Sequence, residues 1–210
     1  MTQKTTAVLL AAGAGTRLGR GPKALLPYRG GTLAQHAAAV LLAGGCSEVV
    51  VVLGSGAAEV RAAGLPAGCR AMDNPRWAEG MGTSFAAGVA AALAPAGGAG
   101  PDNQPTPDNV LVALVDQPGM GSELVARLIA VHKEGRITAA GFRSDDGGLV
   151  RGHPVLFDAD LAAQAAATAS GDAGARIFLR GHPELVDLVD CSDLSDGADV
   201  DTPAQLHLLD

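Results

Sequence analysis

Residues 9–27 read LLAAGAGTRLGRGPKALLP. An apolar run feeds a segment that carries Gly13, Gly15, Gly19 and Gly21 together with Arg17, Arg20 and Lys23. Glycines let successive backbone N–H groups turn toward one point, and the basic side chains add charge there, so the stretch suits an anion. Spacing then separates three kinds of phosphate loop. A Walker A loop ends in Gly-Lys-Ser/Thr, whereas Lys23 follows Pro22 and precedes Ala24. A dinucleotide fingerprint needs a third glycine where Leu18 stands, and an acid closing the second strand where the chain has Leu53-Gly54-Ser55. The remaining reading is a long loop whose N–H groups wrap a triphosphate while Arg17 and Lys23 neutralise it. Lys23 is then expected to be a solvated loop lysine aimed at phosphate oxygens.

The surroundings of this loop predict an α/β fold. Apolar runs rich in β-branched residues recur at 6–10, 49–53, 110–115, 138–142 and 185–189; strands this uniformly apolar belong in a sheet buried on both faces, which is typically parallel. Thr32 and Gln35 have capping-box spacing at the start of a helix that Gly44 and Gly45 can end. Further helices are expected at about 84–94, 122–134, 159–168, 173–180 and 203–209. Residues 95–109, PAGGAGPDNQPTPDN, lack hydrophobic periodicity and read as a mobile surface insertion in a single domain spanning 1–210.

The charge balance narrows the partners. With 15 basic and 22 acidic residues the net charge is −7, which gives nucleic acid no general electrostatic footing. The N-terminal apolar run is too short for a signal peptide or a membrane span, so a cytoplasmic address without membrane contact is expected. Cys46, Cys69 and Cys191 show no metal or disulfide spacing and read as buried thiols.

Two acids stand where chemistry is expected. Asp116, in VLVALVDQP, falls at the end of a buried strand, the edge of an open α/β sheet where ligands bind, and a carboxylate there can hold Mg²⁺. In DVDTPAQL, Thr202 and Pro203 suit the N-cap and first helical positions, which leaves the Asp201 carboxylate free of capping duty. A Gly-Met-Gly-Thr-Ser turn at 80–84 opens another helix and brings Gly82 and the Ser84 hydroxyl to its start.

Leu10 to Lys23 resembles the signature of nucleotidyltransferases that activate small phosphorylated molecules with a nucleoside triphosphate. RGHPVLF (151–157) and SGDAGARIFLR (170–180) are similar to the acceptor side of the molybdenum cofactor cytidylyltransferases, a branch of the MobA-like family. Six motifs then match in order along almost the whole chain. The resemblance implies a three-layer, mostly parallel, Rossmann-like sheet of the nucleotide-diphospho-sugar transferase (GT-A-like) type. It implies nucleotide contacts from Leu10, Ala11, Ala12, Gly13, Gly15, Thr16, Arg17, Lys23, Gly82, Ser84 and Asp116. Acceptor contacts fall to His153, Pro154, Asp172 and Arg176, and Asp201 becomes a second Mg²⁺ ligand opposite Asp116. Catalysis rests on Arg17, Lys23 and Asp116.

Ala12 departs from the Leu-Ala-Gly-Gly of guanylyl-transferring relatives and favours CTP. The implied acceptor is a phosphorylated pterin such as molybdenum-bearing molybdopterin, with a molybdenum hydroxylase as a possible protein partner. Two other readings stay open: an NAD(P)H-dependent pigment reductase of the same family, and a non-catalytic chaperone for the molybdenum cofactor.

Overall fold

The computed structural model describes residues 3–94, 106–144 and 146–210. Its strands are β1 (Thr5–Leu10), β2 (Pro27–Tyr28), β3 (Gly31–Thr32), β4 (Glu48–Leu53), β5 (Cys69–Asp73), β6 (Asn109–Leu114), β7 (Ile137–Arg143), β8 (Leu149–Asp158) and β9 (Val186–Asp190). The helices are α1 (Leu33–Ala43), α2 (Ala57–Ala63), α3 (Met81–Leu93), α4 (Ser122–Val131), α5 (Ala159–Thr168) and α6 (Arg176–Gly181). Seven strands form one sheet in the order β5-β4-β1-β6-β8-β7-β9. Only β8 runs against its neighbours, antiparallel to both β6 and β7; β2 and β3 pair as a separate ribbon.

The central strands are apolar throughout because both faces are covered. On one face Leu9, Val51 and Leu111 pack with Leu33 and Leu41 of α1 and Val125 of α4. On the other, Val8, Val52 and Val112 pack with Phe85 and Val89 of α3 and Leu161 of α5. Each large side chain so buried contributes on the order of 1.5–3 kcal/mol. Gly88 allows α3 this close: a Cβ there would lie 2.5 Å from Val8 Cγ1 and 2.7 Å from Val52 Cγ2.

Local signals act as expected at α1, where Thr32 and Gln35 form a capping box and Gly44 is the C-cap. Helix α3 begins three residues earlier than its periodicity suggested, with Gly80 as N-cap, so Gly82, Thr83 and Ser84 form its first turn. Residues 95–105 of the expected insertion lie outside the described residues. Its final residue is not insertion at all, because Asn109 is buried as the first residue of β6, and Asp108 Oδ2 accepts the Lys4 N–H at 2.6 Å. Cys46 and Cys191 are buried while Cys69 is half-buried; burial pushes the Cys46 thiol up to about 12. Among the described residues no helix is long and apolar enough to cross a membrane.

Candidate active site

The loop between β1 and β2 is built by its own glycines and pinned by its own apolar residues. Gly15 adopts φ +64°, and a Cβ there would sit 2.1 Å from the Gly21 carbonyl oxygen, so the loop closes only with glycine at this position. The Gly15 carbonyl accepts the N–H groups of Leu18 and Gly19, both at 3.1 Å. Leu18, Ala24 and Leu26 are buried in the core and hold the loop down. The place a third dinucleotide glycine would take is therefore a core anchor.

This loop borders a cavity of about 1200 Å³ at the carboxyl ends of the parallel strands. Leu10, Ala12, Gly13, Gly15, Thr16, Arg17 and Lys23 line it, together with Ser84, Asp116, His153, Asp172, Arg176 and Asp201. The structure thus brings motifs from both ends of the chain to one wall. Ala11, Gly82 and Pro154 lie behind that wall. Ala11 is buried and donates its N–H to Val52 O, Gly82 packs on Ser170 and Gly171, and Pro154 is buried within β8.

Lys23 departs from its sequence expectation. Its side chain is only 13% exposed, and its ammonium donates to Asp116 Oδ2 at 2.6 Å and to Asp201 Oδ1. Arg17 Nη2 reaches the other Asp201 oxygen at 3.1 Å from a largely exposed position. Burial alone would lower the Lys23 pKa, but the charge and hydrogen bond of Asp116, with those of Asp201, outweigh it and hold the ammonium above its ordinary value. The hydrogen bond from Lys23 in turn holds the Asp201 carboxyl below the usual range. Asp201 is free of capping duty as expected, since Gln205 Oε1 accepts the N–H groups of Asp201 and Thr202.

Sequence reasoning passed over three cavity residues. Trp77, the sole tryptophan, lines the cavity and rests on Gly54, where a Cβ would come within 2.5 Å of Trp77 Cγ; its rarity was the available signal. Asp199 is two residues before Asp201 in the same motif. Burial, then the charge of Asp116, raises its carboxyl above the usual range, and Asp199 Oδ1 and Gln117 Oε1 are buried acceptors with no donor among the described residues. The third is Arg151, on β8. Ser84, which is buried, accepts a hydrogen bond from Asn74 Nδ2 at 3.0 Å.

Could these residues hold a divalent cation? Asp116 and Asp201 already converge on one positive charge, and among the described residues no third His, Cys, Asp or Glu joins them to complete a metal site of three side chains. An all-oxygen set of one or two carboxylates, completed by water and phosphate, is what Mg²⁺ takes. The donor set fits.

His153 is half-buried on the cavity wall, and its pKa is lowered to about 4, chiefly by burial and against the pull of Asp116. The folded protein therefore keeps it neutral while an unfolded chain would protonate it from about pH 6.5 downward. More protons bound by the unfolded state means stability is lost as pH falls across that window. Denaturant midpoints of His153→Gln and the parent, compared from pH 7 to 4, are expected to converge as the parent loses on the order of 2 kcal/mol more. His36 and His132, also held down by burial, slope the same way in both proteins and cancel in the difference. Parallel curves would place the His153 pKa near its ordinary value.

The profile of the MobA-like NTP transferase domain matches residues 7–187. Over 206 residues the chain is 53% identical to a nicotine blue oxidoreductase of Paenarthrobacter nicotinovorans, covering 97% of this chain and 95% of that one. A solved nucleotidyl transferase from Methanothermobacter has the same fold, with TM-score 0.77 at 23% identity over 98% of this chain and 96% of that one. The Mycobacterium tuberculosis protein Rv0371c in complex with manganese gives TM-score 0.71 at 26% identity, over 98% of each chain.

Proposed function

Because this chain belongs to the MobA-like NTP transferase family, we propose that it transfers CMP from CTP to the phosphate of a small acceptor, such as a molybdenum-bearing molybdopterin, with release of pyrophosphate. The observation that carries this reading is the Lys23 ammonium held between Asp116 and Asp201 beside the glycine loop. That arrangement sets a fixed cation and two carboxylates beside the glycine loop at one end of a cavity of nucleotide size.

In the reaction an acceptor phosphate oxygen forms a bond to the α-phosphorus, and the bond from that phosphorus to the bridging oxygen breaks as pyrophosphate leaves. The acceptor phosphate is already ionised, so no strong base is needed. What the chain supplies is position and charge: loop N–H groups, Lys23 and Arg17 for the phosphate oxygens, and Trp77 as an aromatic wall for the base. Mg²⁺ held by Asp116 and Asp201 would neutralise phosphate charge as a Lewis acid.

A second reading has its own support. The identity of 53% is to a protein named as an oxidoreductase, which favours a NAD(P)H-dependent pigment reductase. Against it stand the burial of Leu18 and the Leu53-Gly54-Ser55 turn, which offers no ribose-binding acid at the end of β4.

Thermal-shift titration with CTP, GTP, ATP and NADPH, each with and without Mg²⁺, separates the two. CTP with Mg²⁺ is expected to stabilise most, by about 2.7 kcal/mol at a hundredfold excess over Kd. Equal or greater stabilisation by GTP removes the cytidylyl assignment. Stabilisation by NADPH alone establishes the reductase.

A further inference from the structure

The chain has twelve arginines amid an excess of acids, and most are neutralised. Arg61 holds Asp73, Arg70 holds Glu48, Arg127 holds Asp193 and Arg136 holds Asp187, at 2.5–2.9 Å. Arg151, Arg176 and Arg180 are different. None has a carboxylate within ion-pair distance or a hydrogen-bond acceptor among the described residues. Arg176 and Arg180 stand one turn apart on α6, a like-charge spacing that costs helix stability. Arg151 comes to the same wall from β8, opposite Gly141 of β7. Partial desolvation on the cavity side of this otherwise exposed residue, followed by the charges of Arg176 and Arg180, holds the Arg151 guanidinium below its ordinary value. Asp172 borders the same cavity but pairs with none of them. Three guanidiniums with no counter-charge among the described residues, in a protein of net charge −7, are a standing cost to the fold.

We propose that Arg151 and Arg176, on the cavity wall made by β8 and α6 and backed by the charge of Arg180, form an oxyanion subsite that takes a phosphate dianion carried by the acceptor. The planar fork of arginine matches the oxygens of phosphate two at a time, and several unpaired guanidiniums favour a dianion over a singly charged carboxylate. Arg151 and Arg176 line the cavity and make the contact; Arg180 lies outside the lining and adds to the field. The acceptor role rests on the nucleotidyl-transfer reading, whereas anion binding by the three arginines does not.

Residue-resolved NMR of the arginine Nε–Hε groups, with inorganic phosphate as the probe, tests this at the side chains themselves and leaves phosphate bound near Lys23 out of the signal. The Arg151 and Arg176 resonances are expected to shift saturably. Arg151→Gln is expected to weaken the response at Arg176 by about tenfold or more, the loss of a charge-assisted hydrogen bond. Arg151→Lys, which keeps charge and loses the fork, falls between. Because all three side chains belong to exposed residues, the variants should fold, and Arg176→Gln read at Arg151 is the reciprocal control. Unmoved resonances overturn the subsite, as does an unchanged affinity in Arg151→Gln. Acetate binding as tightly at equal ionic strength overturns the choice of a dianion. Saturable phosphate binding in a protein that transfers no nucleotide would leave the subsite standing and remove the transfer reaction.

Discussion

Replacing Lys23 by alanine is expected to reduce nucleotidyl transfer by roughly a thousandfold, the scale on which loss of one preorganised charge at a reacting phosphate is felt. The same change is expected to cost about 1–3 kcal/mol of stability, because it strips the ammonium from between two partly buried carboxylates and leaves them facing one another. This reverses the expectation for a solvated loop lysine, which could be removed without consequence to the fold. Sign and window follow from the two shifted groups. The Asp201 pKa is depressed, so the stabilisation is lost as pH falls through its folded value; the Lys23 pKa is raised, so it is lost again as pH rises past that one. Between those limits the effect is full. Mg²⁺ is expected to restore stability to Lys23→Ala more than it stabilises the parent, since the vacated carboxylates can then take the ion. An unchanged melting temperature would mean the ion pair contributes nothing in solution, and unchanged pyrophosphate release would refute the role of the loop altogether.

Asp116→Asn should abolish transfer to within about a hundredth to a thousandth of the parent rate while leaving the fold intact. Its carboxylate accepts from Lys23, and its backbone carbonyl still accepts the Val200 N–H at 2.8 Å. Lys23 keeps Asp201 as partner in this variant, so the stability change should stay within about 1 kcal/mol. Circular dichroism and a melting curve check the fold, and single-turnover transfer checks the chemistry. A variant that turns over normally would place the divalent ion on other residues.

Much of this was legible in the chain, and the omissions have physical reasons. The strands announced by β-branched runs were readable because two-sided burial leaves no other composition available. Strand β5, Cys69-Arg70-Ala71-Met72-Asp73, escaped because it is an edge strand without a single β-branched residue, held at Arg70 by Glu48 on the neighbouring strand. Strand β8 escaped because Pro154 lies in it. The ladder to β7 shifts register between Ala139 and Gly141, opposite this stretch, and pairing with β6 begins only at Val155, so the missing N–H falls where no ladder bond is made. The glycine loop and the ends of β6 and of the Asp201 motif could be located singly. That Lys23 joins Asp116 and Asp201 across 93 and 178 residues could not, since nothing local in the sequence encodes it.

The direction of β8 has a consequence for how such proteins diverge. Its inner half, Val155–Asp158, is laced between β6 and β7, but its outer half is bonded to β7 alone as far as Leu149. The outer half is a cantilever: it carries Arg151 and His153 into the cavity while its free end, at Leu149, can change residue by residue without a second neighbour to satisfy. The glycine loop and Asp116 follow β1 and β6, strands paired on both flanks, and Lys23 ties Asp201 to them. Drift can therefore rewrite what the cantilever grips while the phosphate end stays fixed, and relatives with one scaffold can come to carry the names of different reactions.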